Sequence, residues 1–113
     1  MNFNKLKSVY FIGIGGIGMS AIARYFHVHG KKIAGYDKTP TPLTDELITE
    51  GISIHFDDDV TRAMSEVGIQ SSATDAIREQ TLIVYTPAIP KEHRELNYFI
   101  REGFTVMKRS QVL

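Results

Sequence analysis

The sequence predicts an α/β protein: a doubly wound, five-stranded parallel sheet in a three-layer α/β/α arrangement. Three observations predict it. Five short apolar runs alternate with segments of helical period along the chain. The first and fourth runs, Val9-Tyr10-Phe11-Ile12 and Leu82-Ile83-Val84-Tyr85, have no polar alternation, as expected of strands covered on both faces. Helix-period segments stop at a glycine and the next strand starts within about three residues, the short return of βαβ units. Right-handed crossovers then give the strand order 3-2-1-4-5.

Each element has its own local reason. After the first strand and a glycine-rich turn, Met19, Ile22, Ala23 and Phe26 follow the i, i+3, i+4, i+7 spacing of a helix that Gly30 can stop. The second strand is Ile33-Ala34-Gly35-Tyr36. Thr41-Pro42 reads as an N-cap with proline at the first helical position, and Leu43, Leu47 and Ile48 are expected to share a buried face before Gly51. The third strand is Ile52-Ser53-Ile54-His55, and Val60, Ala63, Met64 and Val67 form a third helical face ending at Gly68. Ile69 to Thr81 is the least regular stretch, an expected insertion with a helical turn or two in Ser71–Arg78. After the fourth strand, Leu96, Phe99 and Ile100 precede Gly103 and a fifth strand, Phe104-Thr105-Val106-Met107. Lys108 to Leu113 reads as a strand exit, a cap and the first turn of another helix. The chain stops on two apolar residues, as expected of a larger protein divided at a domain boundary.

A chain of 113 residues is one domain's worth. Lys+Arg 13 against Asp+Glu 13 leaves no bulk field to recruit nucleic acid or an anionic membrane. The absence of cysteine excludes disulfides, thiolate metal sites and thiol nucleophiles. No apolar run approaches the roughly 18–20 residues of a membrane span, and Met1 to Lys7 lacks a signal-peptide layout, so a cytoplasmic protein is expected.

The strongest motif is Gly13-Ile14-Gly15-Gly16-Ile17-Gly18, a G-x-G-x-x-G run between a buried strand and a helix. Gly13 is expected to allow the tight turn, Gly15 and Gly16 close approach to a ligand, and Gly18 close helix–sheet packing. The N–H groups of the first helical turn then face an anion such as a diphosphate. Asp37, ending the second strand at roughly the 20-residue spacing of dinucleotide folds, is placed to accept from ribose hydroxyls; it also suits a solvated turn. Thr86-Pro87-Ala88-Ile89-Pro90 leaves the fourth strand across the switch point, either as a ligand wall or as a stiff connection.

The other polar residues carry less. His27 and His29, two apart on a helix, cannot share a face. His55 is expected at the sheet edge, touching ligand or water, and His93 is expected to be exposed. Asp57-Asp58-Asp59 reads as a solvated loop and helix N-terminus. Neither catalytic nor metal-ligating residues are assigned, and no Walker-type phosphate loop is present.

Tyr10 to Ser20, with Met19-Ser20 after the last glycine, resembles the opening of the Mur ligase family. Gly35-Tyr36-Asp37 is similar to that family's Gly-Ser-Asp, Thr86 to Pro90 to its Ser-Ser-Ala-Ile-Pro, and Gly103 with Val106 to Leu113 to the stretch leading into its ATPase domain. The resemblance covers essentially the whole chain and implies a Rossmann-like N-terminal domain over 1–113 that holds the UDP end of UDP-N-acetylmuramate. It implies that Gly13, Gly15, Gly16, Ile17 and Gly18 cradle the diphosphate, with Met19 and Ser20 on the next turn. Asp37 is then placed at the uridine, with Thr86, Ala88 and Ile89 on the opposite wall. It also implies that ATP, Mg²⁺ and L-alanine belong to the full-length enzyme of peptidoglycan synthesis, with no cofactor in this domain. Two departures stand out: Phe56-Asp57-Asp58 replaces a family histidine near Asp58, and Ile69–Thr81 looks longer than its counterpart. The residues read without the resemblance leave a nicotinamide-dinucleotide domain of an oxidoreductase or sensor as the alternative.

Overall fold

A computed structural model describes residues 3–112; Leu113, half of the apolar ending noted above, lies outside them. After a short 3₁₀ turn, Phe3–Lys5, the chain runs β1 (Ser8–Ile12), α1 (Ile17–Val28), β2 (Lys32–Tyr36), α2 (Pro42–Thr49), β3 (Ser53–His55) and α3 (Val60–Glu66). It continues with α4 (Asp75–Glu79), β4 (Thr81–Tyr85), α5 (Arg94–Arg101), β5 (Thr105–Lys108) and α6 (Arg109–Val112). All pairings are parallel and the order is β3-β2-β1-β4-β5, as the periodicity predicts.

The strand pleat explains the three layers. On β1, Val9 and Phe11 face a core shared with Met19, Ile22, Ala23 and Phe26 of α1, Leu47 of α2 and Val112 of α6. Tyr10 and Ile12 face the other core, with Ala63, Leu96, Tyr98 and Phe99 of α3 and α5. Gly30, Gly51, Gly68 and Gly103 all take positive φ just after a helix, the left-handed stop that a Cβ disfavours. The expected turn within the Ile69–Thr81 insertion is α4, capped by Thr74, whose hydroxyl accepts from Ile77 N–H at 3.2 Å. Among the described residues no helix is long and apolar enough to cross a membrane.

Two helical faces differ from expectation. On α2 the buried residues are Thr44 and Leu47, while Ile48 is 43% exposed. The reason is the cap: Thr41 Oγ1 accepts from Thr44 N–H at 3.1 Å, and Thr44 Oγ1 accepts from Thr41 N–H at 2.8 Å, turning Thr44 inward. On α5 Ile100 is 56% exposed, and Glu95, Leu96, Tyr98 and Phe99 are buried.

Candidate functional site

β1 and β4 are neighbours, but their following helices pack on opposite faces, so the chain splits at their C-terminal ends and leaves a crevice. Gly13 turns into it with φ 95°, and the side chain of Thr86 fills the space a Cβ would need. Gly13 and Ile14 N–H donate to the Tyr36 carbonyl at 2.8 and 3.0 Å, tying the loop to β2. Gly15 N–H donates to Asp37 Oδ2 at 2.7 Å, and Asp37 Oδ1 accepts from Thr39 N–H at 3.1 Å. Asp37 therefore braces the loop, and the close approach that requires glycine at 15 is to this carboxylate.

Gly16 is the N-cap of α1 and supplies no capping side chain. The first helical bond runs from Ser20 N–H to the Gly16 carbonyl at 2.8 Å, so Ile17, Gly18 and Met19 N–H have no intrahelical acceptor. Thr41, Asp59 and Thr74 cap α2, α3 and α4 with their side chains. The positive end of α1 is instead left for an acceptor from outside.

It opens into a cleft of about 880 Å³ that Gly13, Gly16, Gly18, Met19, Asp37, Thr86, Ala88 and Ile89 all help to line. Gly15, Ile17 and Ser20 are not among its walls. Ser20 is buried and its hydroxyl donates to the Ile17 carbonyl at 2.9 Å, so it is turned into the protein. Gly18 does not serve helix–sheet packing; a Cβ there meets Arg109, with Nη1 at 2.7 Å. The tight glycine is Gly35, where a Cβ would lie 2.6 Å from the Phe11 carbonyl oxygen and 3.0 Å from Ile14 Cδ1. Lys38 and Arg109 also line the cleft, and among the described residues neither forms an ion pair. Sequence reasoning missed both. The adjacency of Lys38 to Asp37 was a usable signal, whereas Arg109 arrives only through the return of β5.

The opposite wall holds a buried polar cluster that overturns three expectations. His55 is buried and lies outside the walls of the cleft: its Nδ1 lies 2.7 Å from Glu66 Oε1 and its Nε2 2.7 Å from Glu95 Oε2. With a carboxylate at each ring nitrogen the imidazole is doubly protonated. Burial opposes that charge, but the hydrogen bonds to Glu66 and Glu95 outweigh it and raise the His55 pKa to about 9. Burial likewise resists ionisation of Glu95, and the bond from His55, the nearby His93 ring 3.9 Å away, and the bonds from Tyr10 and Asp59 N–H bring its pKa down to about 2. Tyr10 O–H donates to Glu95 Oε1 at 2.5 Å, and its own pKa is pushed far up, first by burial and then by the Glu95 charge.

His93 is only 5% exposed, because its ring packs on Tyr36 with centroids 4.7 Å apart. Within the acidic run, Asp59 does cap α3, but Asp58 reaches across to α5. Its Oδ2 accepts from Arg94 N–H at 2.7 Å and its Oδ1 from Glu95 N–H at 3.0 Å, while Glu95 Oε2 accepts from Asp59 N–H at 2.9 Å. The two segments clasp each other reciprocally.

The family model described as "Mur ligase family, catalytic domain" matches residues 8–113. The UDP-N-acetylmuramate–L-alanine ligase of Flavobacterium johnsoniae is 50% identical over 113 residues, which is 100% of this chain and 23% of that protein. The one from Porphyromonas gingivalis is 56% identical over 108 residues, 96% of this chain and 22% of that one. Among solved structures, the UDP-N-acetylmuramate–alanine ligase of Thermotoga maritima superposes with a TM-score of 0.72 at 26% identity, covering 92% of this chain and 21% of that one. The chain thus spans less than a quarter of the length of the curated relatives it matches.

Proposed function

The chain belongs to the Mur ligase family, and on that premise we propose that its cleft holds the UDP end of UDP-N-acetylmuramate. The observation that carries this reading is the uncapped N-terminus of α1, opening into a cleft that Lys38 and Arg109 also line, neither of them in an ion pair among the described residues. A diphosphate supplies the missing acceptors: Ile17, Gly18 and Met19 N–H donate to its oxygens while the helix dipole and the two cations offset its charge. Gly16 keeps the approach open, since a Cβ there would meet nothing closer than 3.7 Å. Gly13 and Gly15 shape the loop, and Ser20 steadies its first turn. Asp37 keeps lone pairs free beyond its two backbone bonds and accepts from the uridine moiety. Thr86, Ala88 and Ile89 form the facing wall.

In the whole enzyme this is the N-terminal domain of a cytoplasmic UDP-N-acetylmuramate–L-alanine ligase of peptidoglycan biosynthesis. There the rest of the enzyme would join the muramyl carboxylate to the L-alanine amine as an amide, with ATP and Mg²⁺ supplying the activation and ADP and phosphate leaving. This chain carries no Walker-type loop, so its contribution is to hold and orient the nucleotide sugar.

Titration of the ¹⁵N-labelled chain in EDTA tests the reading. UDP and UDP-N-acetylmuramate are expected to shift the amides of Ile17, Gly18 and Met19 most, with Asp37–Thr39 and Thr86–Ile89 following. NAD at equal concentration should do little, because five strands lack the second mononucleotide half that completes a dinucleotide trough. Larger shifts with NAD would replace the ligase reading by a dinucleotide-binding one.

A further inference from the structure

We propose that Asp58, His93 and Glu95 form a binding site for a divalent transition-metal ion of the zinc or cobalt class, set in the wall of the cleft. One ligating atom from each residue lies within 4.8 Å of the others. The observation that points to an ion is His93 Nε2. The side chain is 4% exposed, yet this nitrogen has no hydrogen-bond partner, an arrangement that folded proteins avoid. It stands 3.4 Å from Asp58 Oδ1 and 3.9 Å from Glu95 Oε1. Those separations exceed the usual N–H···O range. They suit two ligands of one ion, because bonds of about 2.1 Å at tetrahedral angles put neighbouring ligand atoms roughly 3.4 Å apart.

Charge and support agree with this. Three carboxylates, Asp58, Glu66 and Glu95, gather here against two cations, the His55 imidazolium held between Glu66 and Glu95 and Arg62, whose Nε lies 3.5 Å from Glu66 Oε1. Negative charge beside His93 is therefore left uncompensated. One imidazole with two carboxylates selects zinc-like ions over Mg²⁺ or Ca²⁺, which prefer all-oxygen shells. Both carboxylates are already oriented, Asp58 by the N–H groups of α5 and Glu95 by Tyr10, His55 and Asp59 N–H. Asp58 and His93 line the cleft whereas Glu95 is fully buried. The remaining coordination position thus faces the cleft, open to water or to an anionic oxygen.

The test uses metal alone, so it stands or falls separately from the nucleotide titration in EDTA. Zn²⁺ added to the chelator-stripped 113-residue chain is expected to bind at one ion per chain and to move the ¹⁵N resonance of His93 Nε2, leaving His27 and His29 in place. Co²⁺ should give visible absorption of a low-symmetry N/O site. His93→Gln should weaken Zn²⁺ binding by at least about tenfold, with His29→Gln as an unaffected control. No saturable binding, saturation without movement of His93 Nε2, or equal affinity in His93→Gln would each overturn the site. Should His93→Gln fail to fold, the ring-nitrogen shift in the unaltered chain decides.

Discussion

At the N-terminus of α1, which opens at the cleft, three backbone N–H groups have no intrahelical acceptor and no side-chain cap, whereas at the N-terminus of α5 Asp58 takes the N–H groups of both Arg94 and Glu95. The two helix ends flank one crevice and pose the same electrostatic problem. One is solved within the chain and the other is left for a ligand. Substitutions of Asp58 and Glu95 should accordingly act on folding, and those at the glycine loop on nucleotide binding.

The sharpest way to break that contrast is at Glu95. Glu95→Ala strips a partner from buried His55, leaves Tyr10 O–H and Asp59 N–H without their acceptor, and opens a cavity. Removing one member of a buried pair costs about 3–5 kcal/mol, so thermal unfolding should drop by more than about 12 °C. A loss below about 1 kcal/mol by denaturant titration would show that the clasp is dispensable.

A second effect is reached by pH without mutation. His55 has its folded pKa raised from 6.5 to about 9, so its contribution is complete below 6.5 and is lost as pH rises through 9. Glu95, lowered from 4.5 to about 2, contributes fully above 4.5 and loses that contribution as pH falls through 2. Stability from the clasp therefore peaks between about 4.5 and 6.5. His55→Gln should remove most of the alkaline decline between pH 7 and 9. A flat melting temperature for the unaltered chain over that range would contradict the imidazolium assignment.

The same contrast explains what the sequence shows by itself. Strand order and glycine loop are legible because they rest on local signals: period, glycine stops, and a G-x-G-x-x-G run between strand and helix. The buried cluster behind the clasp joins Tyr10 to His55, His55 to Glu95 and Tyr10 to Glu95 across 45, 40 and 85 positions, and each member looks ordinary where it stands. Glu95 reads as a surface charge beside Leu96, and His55 as a strand end. A trace was present, since Glu95 and Phe99 are one helical turn apart on the buried face, and Tyr10 occupies an inward position of the most buried strand. The burial of a charge at such a position announces a partner without saying which. Gly18 was misread for the opposite reason: the motif's usual packing role was assigned to it, and only the path of β5 shows Arg109 in that space.

Glycine substitutions give the smallest and most discriminating effects. Gly35→Ala places a methyl group 2.6 Å from the Phe11 carbonyl oxygen, a backbone atom in the paired neighbouring strand, with Ile14 behind it. The carbonyl cannot yield without parting β1 from β2, so a cost of about 1–3 kcal/mol is expected, as for overpacking elsewhere. Gly18→Ala introduces the same methyl group on α1 against the far end of Arg109, an exposed and flexible side chain. There the guanidinium swings aside, and alanine's better helix propensity offsets any strain, so stability should change by less than about 0.5 kcal/mol. The displaced cation and the added bulk at the free N–H groups should instead lower UDP affinity. Paired melts and titrations of the two variants separate fold from site on a single methyl group each. If Gly18→Ala unfolded the chain while Gly35→Ala only weakened UDP binding, the division between a self-satisfied scaffold and an open helix end would be reversed.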